Sequence, residues 1–580
     1  MYDLLIKNGL LVDGTGAAPV RGDLAMANGV IVAVGGTITG EARETIDAAG
    51  KVVTPGFVDI HTHYDGQATW DEVLDPSTSH GVTTIVAGNC GVGFAPVAKG
   101  GEDWLISLME GVEDIPGTAL HEGMTWDWES FPEYLDALER RRHSIDIGVQ
   151  VSHGAVRAYV MGERGARNEP ASSDDIARMG AIVREAVEAG ALGFSTSRTL
   201  GHRAMDGEPV PGTYAAEDEL FGLGRAMAAG GNAVFELAPM GAGGEDIIAP
   251  KKELDWMCRL AETIEMPVSY TLLQVDAAPD LWREQMQISL DATSRGAPVY
   301  PQVAGRPFGM MIGLQTHHAF TKRPTYQALA ARLPFADLVA ELRKPATKAQ
   351  ILGEPDLANT PGVLFDVMNL MVQGAVGRLY ELGDPPTYEP APEYAIAAMA
   401  QAQGRDPLDV LYDSFLERDG TNLLMLPVFN YSEANLDAVR EMLLHPAGVS
   451  GLGDGGAHCG MICDASIPTF LLTHWVRDRT RGARLPLEWV VRKQTMDSAR
   501  LYGLNDRGVL AVGKKADVNV IDLDALTLES AYVAYDLPAG GRRVMQKASG
   551  YDATIVSGMV IRRHGADTGA RPGRVLRGAR

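Results

Sequence analysis

Apolar residues follow two different rhythms along this chain, and the change of rhythm divides it. Residues 1–54 and roughly 508–580 read as short strands broken by turns: YDLLIKNGLLVDG and VRGDLAMANGVIVAVG near the start, GVLAVGKKADVNVIDLD and GYDATIVSGMVIRRHG near the end. Asn8-Gly9 and Asn28-Gly29 lie between apolar runs, where such pairs supply the left-handed residues of tight hairpin turns. Two β-rich segments of one texture at opposite ends predict a single small β-sandwich domain built from 1–54 plus 508–580.

Between them, near-continuous apolar runs alternate with helical stretches. The runs are GFVDIHTH (56–63), TTIVAGNCG (83–91), IDIGVQVSHG (145–154), ALGFSTS (191–197), NAVFELAP (232–239), PVSYTLLQ (267–274), APVYPQVAG (297–305) and GVSGLGDGG (448–456). Unbroken apolar runs ending in polar or glycine residues are expected of parallel strands buried on both faces. DDIARMGAIVREAVEAG (174–190) and ELDWMCRLAETIE (253–265) carry helical periodicity between them. Eight such units predict an α/β fold, a (β/α)₈ TIM-type barrel over 55–507 with its site at the carboxyl ends of the strands. An open doubly wound sheet is the competing architecture, but no glycine-rich phosphate loop follows an early strand. The span 306–447 is too long for one connecting helix and predicts a helical insertion that partly covers the barrel mouth. The Gly/Arg-rich tail after His564 reads as mobile or draped over a neighbour.

Composition narrows the function. Lys and Arg number 51 against 75 Asp and Glu, a formal net charge of −24, which disfavours nucleic acid or an anionic membrane surface as partner. No run reaches the roughly 18 apolar residues of a membrane span, and MYDLLIKNGLLVDGTG lacks the pattern of a signal peptide. Four cysteines in 580 residues suit a reducing compartment, so a cytoplasmic protein is expected. The long insertion and the arginine-rich tail leave room for homo-oligomer contacts.

The strongest local chemical signal is Asp59-Ile60-His61-Thr62-His63. Alternate side chains of a strand face the same way, so His61 and His63 project together and form a chelating pair for Zn²⁺ or a similar divalent ion. The alternative is two surface histidines in a loop.

TPGFVDIHTHYDG resembles the opening strand of the amidohydrolase superfamily. HGVTTIVAGNCGVGFAP (80–96), EAGALGFSTSRT (188–199), GLGDGGAH (451–458) and GVLAVGKKADVNVID (508–522) are similar to its N-acyl-D-amino-acid deacylase (D-aminoacylase) branch. The resemblance implies that Cys90, in GNCG, is a metal-bound cysteine; the alternative is a small buried apolar residue. It also implies that Asp454 ligates metal and acts as general base; the alternative is a turn residue beside Gly455-Gly456. His458 reads equally as a substrate contact, a brace for Asp454 or a structural residue.

The departures from the family also matter. Its tight metal sites use histidines ending the fifth and sixth strands, where this chain offers Glu236, Thr271 and Gln274. Glu236 can replace a nitrogen ligand with oxygen. A single metal is therefore expected, held by His61, His63 and Asp454 with Cys90 close by. His153 is a candidate for binding the substrate carbonyl, or a structural histidine. Arg198 and Arg306 are candidates for a substrate carboxylate, or braces for barrel loops. His317-His318 reads as a lid or surface feature, and Tyr64, Asp65 and Gln67 as residues shaping the pocket. The expected activity is metal-dependent hydrolysis of a C–N amide bond in an N-acyl (D-)amino acid or related small amide. A cyclic amide, lactone or carbamate hydrolase, and a non-catalytic binding barrel, are the other readings.

Overall fold

The computed structural model of the chain describes residues 1–359 and 364–578. Residues 360–363 of the insertion and 579–580 of the tail lie outside the described residues.

Each predicted apolar run contains a parallel strand: β1 (Phe57–Asp59), β2 (Val82–Ala87), β3 (Asp146–Ser152), β4 (Gly193–Ser197), β5 (Val234–Ala238), β6 (Val268–Leu272), β7 (Val299–Val303) and β8 (Val449–Ser450). They hydrogen-bond in chain order from β1 to β8, as right-handed βα crossovers dictate. Almost every strand residue is buried, because helices cover the outer face and side chains fill the inside. The 174–190 pattern is the Ser173–Ala189 helix, started by a Ser172/Asp175 capping box and ended by left-handed Gly190. The 253–265 pattern lies in the Ala249–Ile264 helix. Only short 3₁₀ turns, Gln67–Thr69 and Ser77–His80, lie between β1 and β2.

Barrel closure does not run through the strands themselves. Beyond them, Asp454 N donates to His61 O (2.9 Å) and His63 N donates to Gly455 O (2.8 Å). The seam is thus sewn by the segments that carry the histidine pair and the aspartate. The last strand is short because Leu452 and Asp454 are left-handed, at φ 60° and 45°, which ends pleated pairing.

Both chain ends join one nine-stranded sheet, in which Val518–Ile521 pairs with Val52–Pro55 and with Tyr551–Val556. The sheet curls until the Val30–Val34 edge meets Lys514 and Lys515. One core including Leu4, Ile6, Leu24, Val53, Val518, Val520 and Ile555 fills it. The two layers expected of a sandwich are one continuous sheet.

The insertion contains strands as well as helices. Phe308–Ile312 and Leu424–Phe429 form an antiparallel pair, and helices such as Phe335–Leu342 and Pro407–Phe415 pack on it around a separate core. That core takes in Met461 and Ile462, tying the insertion to the loop that follows Asp454. Where it is described, the tail packs on the barrel of its own chain. Gly573 N donates to His143 O, Ile147 N to Arg574 O, and Leu576 N to Ile147 O, pinning it to the base of β3. No described helix is long and apolar enough to cross a membrane.

Candidate metal centre

At the carboxyl end of the barrel, His61, His63 and Cys90 each offer one ligand atom, all within 4.8 Å of one another. His61 Nε2 lies 3.4 Å from Cys90 Sγ and 3.4 Å from Asp454 Oδ1, and His63 Nε2 lies 3.7 Å from that same oxygen. Donors held at Zn²⁺ bond lengths around one tetrahedral ion are about 3.3–3.5 Å apart, so the spacing fits a shared cation. Two imidazoles, a thiol and a carboxylate are also the donor types that zinc prefers.

Local backbone puts each group there. Cys90 (φ 55°) turns back from the end of β2, and next to it a Cβ on Gly91 would lie 2.7 Å from Ser197 N, so only glycine fits. Gly453 is similarly forced, since a Cβ there would meet Asp59 Oδ2 at 2.4 Å. Gln302 at the end of β7 accepts from His61 Nδ1 (2.8 Å), which leaves the His61 Nε2 lone pair facing Cys90 and Asp454.

The electrostatics call for positive charge. Burial lowers His61 to about 4 and His63 to about 3, so both imidazoles are neutral at pH 7, the form in which an imidazole can ligate a metal. Burial, opposed by the Cys90 amide and reinforced by Asp454, raises Glu236 to about 8. Burial also raises Asp59 and Asp65 to about 7. Cys90 and Glu113 are pushed well up, first by burial and then by neighbouring acids. Among the described residues, no Lys or Arg forms an ion pair with Asp59, Asp65, Glu113, Glu236 or Asp454. His63 Nδ1, Glu113 Oε1 and Glu236 Oε1 are buried without a hydrogen-bond partner. Buried acids left this way are costly unless protonated or balanced by a cation.

The remaining predicted residues divide. Glu236 joins the group: Oε2 accepts from Cys90 N (3.0 Å) and Oε1 lies 3.8 Å from His61 Nδ1. His458 joins it from the loop beyond Asp454, partly exposed, its ring 6.1 Å from that of Phe308 in the insertion.

His153 does not join it as a carbonyl-binding group. Its Nδ1 meets Thr196 Oγ1 (2.8 Å) and its Nε2 meets Glu219 Oε1 (2.9 Å), so both ring nitrogens are taken. Arg306 is fully buried, donating to Asp464, Ser466 and the Cys463 carbonyl while stacked 3.9 Å over Tyr388. Arg198 donates to Glu253 (2.7 Å) and to the Ala215 carbonyl (2.9 Å). Both guanidiniums are engaged by these partners.

His317 and His318 are buried rather than on the surface, His318 packing on Tyr326 and Phe415. Tyr64, Asp65 and Gln67 brace the β1–β2 loop through Ser77, Gly88 and Asp75.

Two residues were given no role from the sequence. His202, held by Ser197 Oγ at 2.9 Å, is near enough to His61 and His63 that, after burial, they help lower it to about 4. Glu113 ends the Glu102–Glu113 helix with Oε1 3.3 Å from His63 Nδ1 and Oε2 3.6 Å from His458 Nε2. In LISLMEGVED it is one of three acids, with Glu110 and Asp114, so nothing in the sequence singled it out.

Comparison with known proteins places this geometry. The model of the amidohydrolase family matches residues 44–562, nearly the whole chain. The chain belongs to the amidohydrolase family. D-aminoacylase of Alcaligenes xylosoxydans xylosoxydans is 30% identical over 316 residues, 52% of this chain and 58% of that protein. The match therefore spans little more than half the relative's length. A solved D-aminoacylase superposes with a TM-score of 0.64 at 23% identity over 100% of both chains; that protein has a binuclear metal centre, activated by one metal and attenuated by the second. N-acyl-D-glutamate deacylase from Bordetella bronchiseptica, solved with zinc and a phosphonate mimic of the tetrahedral intermediate, gives 0.63 at 23% identity over 99% of both. At that identity the two structures speak for the shared barrel fold.

Proposed function

We propose that this amidohydrolase cleaves the acyl–nitrogen bond of N-acyl amino acids, of the D series by likeness to its relatives. It would use one divalent ion, zinc or a similar metal, held by His61, His63 and Asp454 with Cys90 as the adjoining ligand. One observation carries the reading: a histidine pair, a thiol and a carboxylate converge at the barrel seam at the spacing of one coordination sphere. The activities of D-aminoacylase and N-acyl-D-glutamate deacylase supply the bond, and activation of the former by one metal favours the single ion.

When bound, the ion supplies Lewis acidity to an amide carbonyl and to water. Asp454 accepts the proton that water gives up on attacking the carbonyl carbon, then returns it to the leaving nitrogen. The acyl carbon–nitrogen bond breaks, giving a carboxylate and a free amine. Gln302 holds the His61 ring in one tautomer throughout. His458, partly exposed beside Asp454, borders the approach. Neither Arg198 nor Arg306 is assigned to the substrate, since both are committed elsewhere.

The test strips the protein of metal, restores one equivalent of Zn²⁺ and follows amine release from paired N-acyl D- and L-amino acids. Restoration of activity by Zn²⁺, with the D series at least about tenfold faster, is expected. A fully metallated protein that releases amine from no member of the panel refutes the reading.

A further inference from the structure

We infer that Glu113 is a positioning residue for His63, and that the helix end carrying it latches the loop that presents Asp454 and His458. The inference rests on the proposed metal site and concerns a residue that site does not use as a ligand.

A metal-binding imidazole needs an acceptor on its second nitrogen, which fixes the tautomer and the ring plane. For His61 that acceptor is Gln302. For His63, whose Nε2 faces Asp454, the group beside the second nitrogen is Glu113 Oε1 at 3.3 Å. The other Glu113 oxygen lies 3.6 Å from His458 Nε2, so one carboxylate stands between two imidazoles that come from opposite sides of the seam.

The backbone repeats the connection. The Glu113 carbonyl accepts from His458 N, and Asp114 Oδ2 accepts from Gly460 N at 3.0 Å. Asp114 is left-handed (φ 51°) where it closes the helix. On the same helix end, a Cβ on Gly111 would fall 2.5 Å from Arg203 O, so glycine lets the helix press against the loop that bears His202. Five backbone and side-chain contacts thus converge on residues 111–114, and a helix built only to cover the barrel would require none of them.

The experiment measures the Zn²⁺ dissociation constant by chelator competition and the visible spectrum of the Co²⁺ form, in the full-length protein and in E113M and E113Q. Met matches the length of Glu with neither a carboxylate oxygen nor a buried charge, whereas Gln keeps an acceptor oxygen. E113M should bind about 10–100-fold more weakly and shift the Co²⁺ bands, and E113Q should recover most of both. E113M within threefold of the wild type with an unchanged spectrum overturns the inference, as does an equal loss in both variants. Failure of the wild type itself to bind metal would overturn the proposed site, and this inference with it.

Discussion

Binding of a divalent ion to the metal-free protein at pH 7 should release about one proton from Cys90 and about 0.9 from Glu236. The histidines bring none, because burial already holds His61 near 4 and His63 near 3. The Cys90 thiol is pushed well up by burial and by Glu236, Glu113 and Asp454, so it enters as the thiol and must ionise to ligate. Glu236 sits near 8, so about nine-tenths of it is protonated at pH 7; the incoming charge ionises it. Any further protons come from Glu113, which is raised in the same way, and from Asp59 and Asp65, which burial raises to about 7.

Each proton released makes affinity rise tenfold per pH unit, so these two groups give nearly a hundredfold per unit near pH 7. At pH 9 the Glu236 share falls to about 0.1 while the Cys90 share persists. Titration calorimetry in buffers of different ionisation enthalpy counts the protons directly. C90S should release about one fewer, and E236Q about 0.9 fewer. A count unchanged in C90S would remove the thiolate from the coordination sphere, and a wild-type release below about 0.5 would refute the electrostatic argument as a whole.

Two further outcomes test the rest of the structure. R306M strands the buried Asp464 carboxylate and should cost about 3–5 kcal/mol of stability in denaturant titration, leaving the KM ratio of carboxylated to uncharged substrates unchanged; a tenfold rise in that ratio at unchanged stability would return Arg306 to the substrate. His80 is bound on both ring nitrogens, by Thr469 and the Gln546 carbonyl, and burial lowers it to about 4. Its folded pKa is depressed, so stability is lost as pH falls from about 6.5 towards 4. Its share between pH 7.5 and 5.5 is about 1.4 kcal/mol, and unfolding midpoints of H80Q should lose that part of the pH slope.

The sequence by itself determined whatever repeats over short distances. Each barrel strand lies in an apolar run visible in the primary structure, because parallel strands buried on both faces must be apolar throughout. His61 and His63 share a face because an extended chain alternates its side chains. Asp454 was legible from its motif, and its glycines answer close approaches that no other residue permits.

Tertiary structure decided the partners of buried polar groups, since nothing local encodes which distant acid a base will meet. His153 is committed to Glu219, 66 residues away, and Arg306 to Asp464, 158 away, pairings that no local pattern announced. Glu113 could be read as an ordinary helix end until the loop that follows Asp454 docked on it. Desolvation then acted on the whole assembly: acids that water would keep ionised became a buried group with no Lys or Arg in ion-pair contact among the described residues, and that imbalance is what a metal ion at the seam would relieve.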